Sequence, residues 1–296
     1  MGSCRIIYIW YNKNDMKQPV RSASDSLAED GVSRFQKIIL DHYRRYGRDL
    51  PWRTTTDAYR ILVSEFMLQQ TQVDRVLPKY QEFIGRFPDP AALARAPLQQ
   101  VLEAWSGLGY NRRAQALKKC AETIMEHCGG KVPDSQDELE QLPGIGPYTA
   151  RAVCVFAYNQ PSIVIETNIR AVYIHFFFAG QTSVPDGDLL PFIEKTLYRR
   201  NPRRWYNALM DYGVMLKKTC CNPARNSARH ARQSPFKGSN REIRGMIIKM
   251  LLVHQACTTA MLIKKTGKEP QRVKAVLQQL LEEGLVKRQG SRIALP

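Results

Sequence analysis

Residues 142–149 read Leu-Pro-Gly-Ile-Gly-Pro-Tyr-Thr, and the way this octapeptide turns decides how the chain on either side of it is arranged. Gly144 and Gly146 bracket one apolar residue, so the backbone can reverse tightly and lie close against a neighbour. Pro147 then opens a new helix, where its missing N–H costs nothing. The first amides of such a helix have no internal partner and sit at the positive end of its dipole, a combination that suits a phosphate oxygen. Upstream, Ser135 and Glu138 have the spacing of a capping box for a preceding helix. The octapeptide is therefore a hairpin between two helices. Leu142, Gly144, Gly146 and Thr149 become candidates for contact with a nucleic-acid backbone. A plain turn joining two core helices is the competing reading.

Outward from the hairpin the periodicity is helical. Asp57 caps a predicted helix that runs to Leu77 and stops at Pro78, and Pro97 starts another that ends before Gly107. Asn111–His127 forms a long helix closed by Gly129-Gly130. Pro147–Tyr158, Asn168–Phe178, Leu189–Arg200 and Trp205–Leu216 complete the set. Convincing paired strands are absent from this stretch, so the body reads as all-α. Residues 1–30 lack periodicity and are expected to form a disordered tail, with helix from Ser33 onward.

A chain of 296 residues can bury one large core or two smaller ones. Lys and Arg exceed Asp and Glu by 44 to 27, a net charge of +17 that attracts polyanions, nucleic acid first and an anionic membrane second. No basic amphipathic helix with apolar anchors supports a membrane partner, and no apolar run is long enough to span a bilayer. Seven scattered cysteines argue against a disulfide framework and for a reducing, intracellular compartment. Adjacent Cys220 and Cys221 do not match a zinc pair, and no metal site is expected.

Composition shifts between Arg199 and Arg244, where 12 Lys or Arg face only Asp211 and Glu242. Residues 222–240 are almost devoid of large apolar side chains and read as a basic linker. It is either a solvated connection or an arm that tracks a nucleic-acid backbone through Arg225, Arg229 and Lys237. Residues 241–296 resume a core pattern. Ile243, Ile247 and Leu251 share a helical face, Thr258–Lys265 and Gln271–Glu283 form two further helices, and Leu285–Leu295 alternates like a hairpin. Three helices and a two-stranded wing describe a winged-helix-like module.

Two carboxylates stand out as chemistry. Glu65, Gln69 and Gln72 recur at i, i+4 and i+7 on the helix predicted from Asp57, interrupting an apolar pattern. They line either a cleft where a base is protonated or an exposed polar face. Glu166 follows the apolar run Ile163-Val164-Ile165 and stands where a helix begins. It is either an N-terminal capping acid or a carboxylate held ionised at the positive helix end, ready to face a developing cation.

Residues 49–213 resemble the helix-hairpin-helix DNA glycosylases, and within them the MutY-type adenine glycosylases. The matching blocks are Leu50-Pro51-Trp52-Arg53, Ser64-Glu65, Met67-Leu68-Gln69-Gln70-Thr71-Gln72, Trp105 with Gly107-Leu108-Gly109-Tyr110, and Leu142-Pro143-Gly144 with Gly146-Pro147-Tyr148-Thr149. The resemblance implies a two-lobed helical glycosylase domain over 31–221, followed by the linker 222–240 and the module 241–296. It makes Glu65 the general acid that protonates the departing base. Gln70 and Tyr110 become wedges in the base stack, Tyr148 the hairpin residue near the flipped nucleotide, and Asn168 the asparagine beside the catalytic carboxylate. Gln69 and Arg170 join the expected DNA-binding set.

Three positions depart from the family pattern. Glu166 replaces the family's catalytic aspartate, with Thr167 where a glycine is usual, so the carboxylate sits one methylene further out. The four-cysteine iron–sulfur loop is missing, so no cofactor is expected. The family's 8-oxoguanine-reading C-terminal domain is not recognisable, and the winged-helix-like module stands in its place. Tyr148 occupies the position where bifunctional relatives resembling endonuclease III carry a lysine for a Schiff base. The resemblance therefore implies a monofunctional, monomeric DNA glycosylase acting on double-stranded DNA with a mispaired or damaged base, adenine first. It would be DNA-associated, in the cytoplasm or nucleoid if prokaryotic. Thymine or uracil excision from mismatches with guanine, and non-catalytic DNA binding, are the alternatives.

Overall fold

The computed structural model describes residues 28–219, 222–230 and 234–296. Most of the expected tail, the Cys220-Cys221 pair and part of the basic linker lie outside the described residues.

Helix α1 (Glu29–Tyr46) begins inside the segment expected to be tail. Glu29 and Asp30 occupy its first turn, where their charges complement the helix dipole, so the periodic pattern from Ser33 understates its length. Asp57 caps α2 as expected, accepting from the Arg60 amide at 3.0 Å, but α2 (Ala58–Leu68) stops nine residues before Leu77. The chain breaks over residues 69–72 and restarts as α3 (Val73–Arg86), with Pro78 inside it. The expected single helix to Pro78 is thus two helices. Glu65, Gln69 and Gln72 do not share one helical face, because the last two lie beyond the end of α2.

Most of the remaining helices follow the sequence, but Pro90–Arg95 is a helix it did not announce, and Asp186–Thr196 replaces the expected Leu189–Arg200. In chain order these helices are α4 (Pro90–Arg95), α5 (Leu98–Ala104), α6 (Arg112–His127), α7 (Gln136–Glu140), α8 (Pro147–Phe156), α9 (Thr167–Phe177), α10 (Asp186–Thr196) and α11 (Pro202–Thr219). Ser135 caps α7, accepting from the Glu138 amide at 3.3 Å. Gly129 and Gly130 both take positive φ after α6, and the Gly130 amide returns to the Ile124 carbonyl at 3.0 Å.

The C-terminal region runs α12 (Asn240–His254), β1 (Ala256–Thr258), α13 (Thr259–Thr266), α14 (Pro270–Glu282), β2 (Lys287–Gln289) and β3 (Arg292–Ala294). The strands form an antiparallel sheet in the order β1-β3-β2, with Cys257 opposite Ile293. This is the helix–strand–helix–helix–wing order of a winged helix. Strand β1 is missing from the sequence reading because three residues are too few to show alternation.

Contacts divide the chain into two compact units. One comprises residues up to Asp49 together with Cys154–Arg232. Its core is aromatic: Phe35 of α1 packs edge-on to Tyr173 of α9 and Trp205 of α11, with ring centroids 5.5 and 5.7 Å away. The other comprises Leu50–Val153 and Gln233–Pro296, so it holds the hairpin and the C-terminal module together. Phe66, Phe83, Trp105 and Leu139 are fully buried in it. Among the described residues no helix is long and apolar enough to cross a membrane.

Candidate active site

In the unit that carries the hairpin, Glu65 lies on α2 between Ser64 and Phe66 and is only 8 % exposed. Ile61, Leu62, Val63 and Met67 around it on the same helix are buried. A carboxylate in such a setting demands a purpose or a partner. The neighbouring Phe66 packs on the hairpin. Gly144 has φ +80°, and a Cβ there would stand 2.7 Å from the Ala116 methyl of α6 and 3.1 Å from the Phe66 ring. Only glycine lets the hairpin sit this close to both helices.

The hairpin is tied a second time just past the end of α2, where Gln69 Nε2 donates to Thr149 Oγ1 at 3.3 Å. Leu142, Ile145 and Thr149 point inward and are buried, whereas Tyr148 is 36 % exposed. Gly146 differs from Gly144: its φ is not in the left-handed region, and the space beside its Cα is open. The first bond of α8 runs from the Ala150 amide to the Gly146 carbonyl at 3.0 Å. The N-terminus of α8 is therefore approachable, with Tyr148 at its rim.

Arg113 explains the break after α2. Its Nη1 donates to the carbonyls of Phe66, Met67 and Gln69 at 2.7, 3.0 and 2.7 Å, and its Nη2 to Thr71 Oγ1 at 3.0 Å. The last carbonyls of α2 thereby find partners without another turn of helix. Gln70 adopts φ +55° at the corner. Burial lowers the pKa of this guanidinium to about 10, and it remains charged at neutral pH. The same side chain lies 5.2 Å from the centre of the Tyr110 ring. Tyr110 itself ends the Gly-Leu-Gly-Tyr block at φ +49°, after Gly107 and Gly109 at φ +97° and +72°. Trp105 Nε1 pins this loop by donating to the Gly109 carbonyl at 3.0 Å.

In the other unit, Glu166 caps α9. Its Oε1 accepts from the amides of Asn168 and Ile169 at 2.7 and 3.0 Å, and its Oε2 from Asn168 Nδ2 at 3.1 Å. Lys217 of α11 completes the cluster, donating to Asn168 Oδ1 at 2.7 Å. Burial raises the Glu166 pKa, while the Lys217 charge and the three donors pull it back down. Burial lowers the Lys217 pKa in turn, opposed by Glu166. Gly213 makes this packing possible: a Cβ there would lie 2.4 Å from the Asn168 carbonyl oxygen. The capping reading of Glu166 holds, and the capping bonds fix the orientation of its carboxylate.

The expected DNA-binding cations differ in freedom. Arg170 makes a two-pronged pair with Asp186 at 2.7 and 2.8 Å, which holds α9 to the start of α10. Arg229 lies 3.4 Å from the same carboxylate but is largely exposed, and Arg225 and Lys237 are exposed. Lys217 and Arg113 were not singled out in the sequence. Each acts on a segment more than 40 residues away, and no local pattern announces it.

An iron–sulfur cluster in this family needs four thiolates. In the described part of the segment after α11, Asn222 caps a 3-10 turn (Pro223–Asn226), and Val184 exchanges backbone bonds with Asn226 and Ala228 at 2.8 and 2.9 Å. This stretch contains no cysteine; of the described cysteines, Cys120, Cys154 and Cys257 are buried and Cys128 is half-buried, all elsewhere in the chain. Among the described residues no group of His, Cys, Asp or Glu is placed to hold a metal ion.

Residues 63–187 match the model of the HhH-GPD superfamily of base excision DNA repair proteins. The adenine DNA glycosylase of Mycobacterium tuberculosis (strain ATCC 25618 / H37Rv) is 36% identical over 283 residues, covering 87% of this chain and 92% of that protein. The adenine DNA glycosylase of Mycolicibacterium smegmatis is 50% identical over 135 residues, 45% of this chain and 46% of its own. Among solved structures, a thermostable thymine-DNA glycosylase superposes with a TM-score of 0.58 at 24% identity, covering 68% of this chain and 99% of that one. A trapped endonuclease III–DNA covalent intermediate gives 0.52 at 19% identity, covering 71% of this chain and 91% of that one. At these identities the structures attest the fold. The chain belongs to the adenine DNA glycosylase family of the HhH-GPD superfamily and is a DNA N-glycosylase of base excision repair.

Proposed function

We propose that this enzyme hydrolyses the N-glycosidic bond of a mispaired adenine flipped out of double-stranded DNA, leaving the abasic strand uncut. The observation that carries the reading is the carboxylate of Glu65, buried on an apolar helix directly beside the hairpin-packing residue Phe66. Breaking this bond places negative charge on the base and oxocarbenium character on the sugar. Glu65 is the general acid that protonates the departing base. Glu166, locked by Asn168 and the α9 amides, supplies the negative charge that stabilises the cation. Its acceptor atoms are already oriented, so little reorganisation accompanies charge development.

Tyr110 and Gln70 fill the gap left by the flipped nucleotide, and α8 holds a flanking phosphate at its N-terminus. Tyr148 has no amine, so the sugar forms no Schiff base and the strand is not nicked. The sequence after α11 lacks the family's four-cysteine loop, and on this reading the enzyme works as a monomer without an iron–sulfur cluster. Single-turnover assays on duplexes bearing A opposite 8-oxoguanine, T opposite G and U opposite G test the choice of base. Release of adenine alone is expected. Release of only thymine or uracil overturns the adenine assignment, and tight binding with no release of any base overturns the enzymatic one.

A further inference from the structure

Tyr110 is gripped by the C-terminal module as well as by Arg113. Arg241, in the first turn of α12, lies 5.6 Å from the centre of the Tyr110 ring and donates from Nη1 to the phenolic oxygen at 2.8 Å. Its Nη2 donates to the carbonyl and hydroxyl oxygens of Ser234 at 2.5 and 3.2 Å. Two guanidinium groups therefore contact a tyrosine whose φ is +49°, a conformation a bulky residue keeps only where its surroundings fix it.

The module is itself anchored beside that tyrosine. Arg112, two residues after Tyr110, and Arg244 of α12 both pair with Glu283 at the end of α14. Gln115 Nε2 donates to the Glu283 and Gly284 carbonyls at 3.0 and 3.4 Å. One carboxylate thus joins the first turn of α6 to the helix that carries Arg241. The contact closes a path from the module to the wedge: Glu283 sets α12, α12 sets Arg241, and Arg241 sets the phenol.

We propose that Arg241 is a positioning residue for base excision, through which the C-terminal module presents Tyr110 to the duplex. The proposal rests on the reading of Tyr110 as a wedge beside the target base. The geometry disfavours a plain phosphate contact, because the Arg241 donors are directed at Tyr110 and Ser234. It also gives the module a task in catalysis that does not require it to touch DNA.

The test uses the full chain and a duplex with adenine opposite 8-oxoguanine and 2-aminopurine next to the adenine. At saturating enzyme, Arg241→Ala is expected to slow single-turnover excision about tenfold, a modest loss for a misplaced positioning group. Its affinity for undamaged duplex and its salt dependence should match the parent, while the rise in 2-aminopurine fluorescence on binding should shrink. Tyr110→Ala combined with Arg241→Ala should be no slower than Tyr110→Ala alone, because both remove one interaction. Arg241→Lys should behave like Arg241→Ala, since a lone ammonium lacks the fork that holds both Tyr110 and Ser234. Glu283→Gln, which loosens the anchor and leaves Arg241 in place, should reproduce the defect in part.

Additive losses in the double variant, or full rescue by Arg241→Lys, overturn the proposal. So does a salt slope lower by about 0.9 with weakened binding to undamaged duplex, which is the signature of a lost phosphate contact. Should the parent release no base from any duplex, the functional reading fails on its own. The fluorescence arm then decides separately: an equal rise with parent and Arg241→Ala overturns the positioning role.

Discussion

At Glu166 two opposed influences meet on one carboxyl: burial raises its pKa, and the nearby Lys217 ammonium lowers it. The proposed role needs the ionised form, so excision should fall as pH drops through the Glu166 pKa. Removing the cation with Lys217→Met removes a lowering influence, so the acid limb of the single-turnover rate should move to higher pH. An unshifted limb in a pH–rate profile means that Glu166 is not the group being titrated. Gly213→Ala tests the packing behind the same site. The added methyl meets the backbone of Asn168, which cannot swing aside, and a loss of about 3 kcal/mol in urea unfolding is expected, the upper end for overpacking. Glu65 and Glu166 were legible in the sequence because a carboxylate in an apolar helix and an acid at a helix start both break a pattern. Lys217 was not, since it is 49 residues from Asn168 and reaches it only because α9 and α11 pack closely at Gly213.

The break between α2 and α3 shows where propensity gives way to tertiary contact. Gln69-Gln70-Thr71-Gln72 contains no strong helix breaker, so periodicity carries the helix through it. Arg113 ends it by taking the α2 carbonyls, and its sequence position gives no hint of that task. Arg113→Ala should leave those buried carbonyls without partners and destabilise the protein by about 3 kcal/mol, measured by denaturant unfolding. The caps at Asp57 and Ser135, the glycines after α6 and the hairpin were all readable, because each rests on interactions within a few residues. The C-terminal module was readable as three helices and a wing, and its docking was not. That docking has a pH signature. Burial pushes Glu283 up, but Arg112 and Arg244 outweigh it and hold its pKa at about 2 against an ordinary 4.5. A depressed carboxylate contributes stability above its unfolded pKa and loses it as pH falls through the folded one. The stability advantage of the parent over Glu283→Gln should therefore be full above about pH 5 and shrink progressively toward pH 2. An advantage that stays constant across that range removes the ion cluster as the anchor.

For the whole molecule, the net charge of +17 and the approachable N-terminus of α8 point to one polyanionic partner, and family membership makes that partner DNA. Affinity for duplex should fall with salt by about 0.9 log units per tenfold change for each neutralised phosphate. Charge-neutral replacement of Arg225, Arg229 and Lys237 should flatten that slope, and an unchanged slope shows that the basic segment does not follow the backbone. The division of the chain into two units was foreseeable only in outline, since the hairpin unit recruits residues from both sides of the other in sequence. What all of this depends on is a proton delivered from Glu65 to the base. The most direct measurement compares single-turnover release of adenine opposite 8-oxoguanine by the parent and by Glu65→Gln, with duplex affinity measured alongside. Loss of a general acid should slow release by about a thousandfold while affinity stays within a few-fold and the abasic strand stays intact. Release by Glu65→Gln at the parent's rate would contradict it.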